Sequence, residues 1–155
     1  MAPRQHMRKM KVGKVTFTEA YKAVNEYRQK FPQKAVTFYA QNYPAMGWAV
    51  FMAGGSCPVI PCTDKAFLKD AAAMEVEETN TDEYKKMVKS DIGSIIYSKS
   101  GTEIPVQLSS GKYALKYIHP ASGKIETINK SLKINDLYNL KVPDKKEGIY
   151  WFHKL

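Results

Sequence analysis

From Asp91 to the C-terminus the chain keeps one rhythm. Runs rich in β-branched and aromatic residues, IGSIIYS, EIPVQL, KYALKYIH, KIETINKSLKI, LYNLKV and GIYWFHK, alternate with turn residues at Ser100-Gly101, Ser110-Gly111, Ser122-Gly123, Asn135-Asp136 and Lys146-Glu147-Gly148. Turn signals that recur every ~8–13 residues leave room for strands and hairpins but not for crossover helices. The pattern predicts a small antiparallel β-sandwich or barrel.

The preceding half follows a different grammar. Thr16 and Glu19 stand at capping-box spacing, and Ala20, Ala23, Val24, Tyr27 and Phe31 recur at helical intervals until Pro32. KAVTFYA (34–40) predicts a strand buried on both faces. Pro44 suits the first turn of a second helix, Ala45–Ala53, which Gly54 and Gly55 terminate. Asp64 caps a third helix, KAFLKDAAAM, with Phe67, Leu68 and Ala71 on one side. EVEETNTDE reads as a linker leading to a short helix around Tyr84–Val88. The expected fold class is therefore α+β: a helix-strand-helix, partly barrel-like α/β segment over residues 15–89, followed by a β-sandwich over 90–155.

Charge narrows the partners. Of the nine excess positive charges, five (Arg4, Arg8, Lys9, Lys11 and Lys14) lie in residues 1–14, which carry no acid and no aromatic residue. A short basic arm of this kind reads as disordered and solvated, and without stacking residues it argues against a nucleic-acid partner. It also lacks the apolar core of a signal peptide. The apolar run Ala45–Ala53 falls well short of the ~20 residues of a membrane span, which excludes a membrane partner.

Candidate chemistry is sparse. Gly54-Gly55-Ser56 follows a helix instead of opening one, so it reads as a helix stop and not as a phosphate loop. Cys57 and Cys62 are separated by four residues, with Pro58 and Pro61 between them, too far apart for a redox C-x-x-C pair. The three histidines, His6, His119 and His153, form no ligand pattern with them. No metal and no cofactor is expected, and two packed free thiols are the plainest reading. Glu75, Glu77 and Glu78 read as a solvated acidic run, and His119 as a turn residue of HPASGK. No catalytic constellation emerges.

The aromatic residues suggest a binding site instead. Sugars present apolar C–H faces that stack on Trp and Tyr, while amides and hydroxyls bond their hydroxyl groups. Gln41, Asn42, Tyr43 and Trp48 cluster just past the expected strand, where α/β folds bind their ligands. They are the candidate substrate-binding residues, beside a core-packing role for Trp48.

The order of motifs then becomes informative. GWAVFMAGGSCPVIP, followed by AFLKDAAAM and by IGSIIYSKSGTEIPVQLSSGKYALKYIHPASGKIETINKSLKI with its V-x-L-S-x-G-x-Y strand and P-x-S-G turn, resembles the C-terminal region of bacterial glycoside hydrolases. In these a TIM-like barrel is followed by a β-sandwich sometimes labelled a collagen-binding domain. The resemblance implies a hydrolase whose paired carboxylates come from earlier barrel strands, a carbohydrate partner, and a secreted or periplasmic parent. It implies that this chain is the non-catalytic end of such an enzyme. The alternative is a stand-alone glycan- or protein-binding β-sandwich module, and apolar helix surfaces left uncovered would favour self-association.

Overall fold

In the computed structural model the described residues are 15–38 and 43–155, with the side chains of residues 43–45 excluded, so the basic arm lies outside them. Three helices, α1 (Phe17–Lys30), α2 (Tyr43–Met52) and α3 (Lys65–Ala73), precede six strands: β1 (Glu75–Glu77), β2 (Tyr84–Lys89), β3 (Gly93–Ser98), β4 (Glu103–Ile118), β5 (Ile125–Lys141) and β6 (Gly148–Lys154). The strands form one antiparallel sheet in the order β1-β2-β3-β6-β4-β5. The α+β class expected from the sequence is the class observed.

Local chemistry accounts for the helix ends. At α1 the Thr16 side chain accepts from the Glu19 amide and Glu19 reaches back to the Thr16 amide, the reciprocal capping box. At α3 the Asp64 carboxylate accepts from the Phe67 amide. The end of α2 is a Schellman motif: Gly54 takes φ 67°, its amide donates to Phe51 O, and the Gly55 amide donates to Val50 O. Gly54-Gly55 is thus the helix stop that its position predicts.

Two cores lie on opposite faces of the sheet. One joins the helices to Met87, Ile95, Tyr97, Ile149 and Trp151. Met46 to Met52 of α2 and Ala53 after it are buried throughout, so the described part of this all-apolar helix is covered within this chain. Among the described residues, the large exposed apolar side chains on or next to the helices are Tyr27, Phe31 and Leu68.

The second core arises because the β4–β5 hairpin folds over the sheet. Ile104, Val106 and Leu108 point into it at even positions, whereas Tyr113, Leu115 and Tyr117 do so at odd ones. A register shift between Leu108 and Gly111, opposite Ile134 and Asp136 with its φ of 82°, causes the change of phase. The hairpin bends there, and its outer half packs back over Ile96, Tyr150 and Phe152. Ser110-Gly111 and Asn135-Asp136 therefore bend continuous strands and do not reverse the chain.

Two further expectations are corrected. Residues 35–38 are not a strand: Val36 O accepts from the Ser56 amide at 2.7 Å, one rung to a loop that leaves no partner strand. Residues 75–89 are not a linker and helix but β1 and β2, because Lys85 and Lys86 find partners for their ammonium groups and can lie buried in a strand.

Candidate functional site

Of the four residues expected to meet a sugar, Gln41 and Asn42 lie outside the described residues, and Tyr43 is the first residue of α2. Trp48 is 3% exposed. Its ring packs edge-on against Phe51 and Phe67, and its indole N–H donates to Pro120 O at 2.8 Å. That bond ties α2 to the turn between β4 and β5, where Pro61 also sits against Gly123.

An open concavity lies beside α1. A groove of about 710 Å³ runs between α1, the end of α2, α3 and β1, and a second hollow of about 380 Å³ continues it along the β1–β2 loop. The two share Asn25, Gln29 and Glu78. These sizes fall in the range of small-molecule clefts, about 300–1,000 Å³.

Each wall is built by the fold. Ala20, Tyr21 and Val24 bury the inner face of α1, which sets Asn25, Arg28 and Gln29 along the rim. The Arg28 guanidinium donates to Ala53 O at 3.1 Å and lies where a side chain on Gly54 would stand. It supplies the cation that the C-terminal end of α2 lacks in its own sequence. Across the groove Gln29 donates to Glu78 Oε1 on the opposite wall. Phe51, Met74, Val76 and Met87 form an apolar floor.

The far end of the groove is closed by its own cation. Lys85 is buried, and its ammonium donates to Thr81 O at 2.6 Å, reaches Thr79 Oγ1 and Asp82 Oδ1 at 3.4 Å, and lies 4.8 Å from the Tyr21 ring centroid. Lys22 bonds the other Asp82 oxygen and, with Lys85, holds that carboxyl below its usual range. Burial, aided by the charge of Glu78, pushes the Tyr21 hydroxyl up to about 12.

The remaining reactive groups are occupied structurally. Asp70 Oδ2 accepts from Trp151 Nε1 at 2.9 Å and from His153 Nδ1 at 2.7 Å, joining α3 to β6. Cys62 is buried, which raises its thiol pKa, whereas Cys57 is exposed; neither forms a disulfide. His119 bonds Glu126 beside the β4–β5 turn. Among the described residues no group of three or more His, Cys, Asp and Glu is placed to hold a metal, and no helix is long and apolar enough to cross a membrane.

The groove residues carry little sequence signal beyond the four-residue spacing of Tyr21, Asn25 and Gln29 along one helix face.

Residues 1–74 match the family model "Domain of unknown function (DUF6298)". The match ends at Met74, the residue that caps α3, just before the chain enters the sheet. A solved structure described as "Glycoside hydrolase" is similar at 13% identity with a TM-score of 0.39, over 51% of this chain. The similar part spans 19% of that structure's chain. No curated protein matches.

Proposed function

We propose that this chain is the C-terminal, non-catalytic portion of a carbohydrate-active protein of the glycoside hydrolase type. In this reading the helices are the tail of a larger unit and the sheet is an accessory module behind it. The observation that carries the two-part reading is the coincidence of the family match's end with the cap of α3. The carbohydrate assignment rests on the motif order and on a groove that combines amide, carboxylate and guanidinium groups with an apolar floor. Asp70, whose Oδ2 is already engaged by Trp151 and His153, has a structural part and not that of an acid poised over a glycosidic bond. Gln41, Asn42 and Tyr43 are the other proposed contact segment, a few residues ahead of Trp48, which ties α2 to the β4–β5 turn. Tyr27, Phe31 and Leu68 offer a surface to the rest of such a protein, whose substrate places it outside the cytoplasm.

The test pairs pull-down on insoluble polysaccharides with an assay of released reducing ends. The reading expects retention without turnover. Turnover that is lost when a carboxylate of this chain is changed would defeat it.

A second reading, a stand-alone glycan- or protein-binding sheet module, draws on β5, an edge strand that exposes Ile128 and Leu137. Retention that depends on those two residues and not on the α1 groove would favour it.

A further inference from the structure

We infer that the groove beside α1 binds a neutral oligosaccharide, with Asn25 and Glu78 gripping adjacent hydroxyls across its waist. This deepens the carbohydrate reading above and rests on it. Asn25 is half-buried and makes no side-chain hydrogen bond or ion pair among the described residues, although both halves of the groove open onto it. Its carboxamide offers a donor and an acceptor side by side, the pairing that two vicinal hydroxyls require. Glu78 spends Oε1 on Gln29, and its second oxygen remains an acceptor for a further O–H.

The floor and the charge balance select the ligand. Phe51, Met74 and Met87 present an apolar surface suited to the C–H face of a pyranose. Two carboxylates, Glu75 and Glu78, line the main hollow against one guanidinium, which is already donating to Ala53 O. In the adjoining hollow Asp82 is engaged by both lysines. In the main hollow, where two carboxylates face one engaged guanidinium, a ligand carboxylate would meet net repulsion, so neutral sugars are preferred there to uronic acids. The continuation past the waist gives room for more than one sugar ring.

The experiment is isothermal titration of the full chain with cello-, xylo- and manno-oligosaccharides and with an oligogalacturonate, repeated on Asn25→Ala and Glu78→Gln. Both changes lie at the surface, and circular dichroism confirms that the variants fold. At least one neutral series should bind more tightly than the oligogalacturonate, and each substitution should weaken it about tenfold or more, the effect of losing roughly 1.4 kcal/mol of hydrogen bonding. Sugar binding that neither substitution alters would overturn the groove assignment and leave the carbohydrate reading standing. Preferential binding of the oligogalacturonate would overturn the charge argument. No binding to any of the sugars would overturn both.

Discussion

Asp70 is the most exacting point of contact between the helices and the sheet. It is 7% exposed, and one carboxylate oxygen serves two donors from β6. Removing it with Asp70→Ala strands the Trp151 indole N–H inside the core, at a cost of about 1–3 kcal/mol for a buried unsatisfied donor. His153 is partly exposed and can turn to water, so its loss adds only about 0.5–1 kcal/mol. The expected total is about 2–4 kcal/mol. At roughly 2–4 °C per kcal/mol for a chain of this length, the melting temperature should fall by about 5–15 °C. Asp70→Asn keeps one acceptor oxygen and should cost about half as much. Guanidinium unfolding followed by tryptophan fluorescence reads both variants, since Trp48 and Trp151 are both buried. A loss below about 0.5 kcal/mol for Asp70→Ala, or a larger loss for His153→Ala, would refute the reasoning.

Gly47→Ala should destabilise by about 3 kcal/mol or more, although alanine favours a helix by about 1 kcal/mol over glycine, because its Cβ would lie 1.7 Å from Val59 O; thermal melts check this. Lys85→Met should loosen the β1–β2 loop at Thr79–Asp82, seen as faster amide exchange there, because three oxygens lose their shared donor. Alkaline stability has a defined sign. Burial raises the Tyr21 and Tyr150 hydroxyls to about 12, so their neutral forms support the fold fully below the unfolded value of about 10 and lose that contribution as pH rises toward 12. Denaturation midpoints from pH 8 to 12 should therefore fall above about pH 10, and less steeply in Tyr150→Phe.

The helices are legible because their signals are local. Thr16 with Glu19, Asp64, and Gly54-Gly55 each act within four residues of the position they decide. β2 is not, because YKKMVK looks solvated until Lys85 meets Thr81 O and Lys86 meets Glu77 and Pro105 O, partners that only the folded hairpins bring near. KAVTFYA shows the reverse error: β-branched residues favour a strand, but Val36 and Phe38 dock against the first core beside a loop. The strand segments of the sheet are readable one by one, while the bend that joins them into β4 and β5 depends on a bulge in one strand facing Asp136 in the other. The groove is hidden in the sequence for a similar reason: Gln29 and Glu78 meet across 49 residues of chain. The aromatic cluster near Tyr43 stands out in the sequence because it is contiguous, yet Trp48 uses its indole to hold α2 to the β4–β5 turn.

Saturation-transfer difference NMR of the full 155-residue chain with neutral oligosaccharides tests the account most directly. Saturation passing from the protein to sugar ring protons is the predicted result. Spectra without transfer for every neutral sugar, at millimolar ligand and with the protein folded, would contradict it.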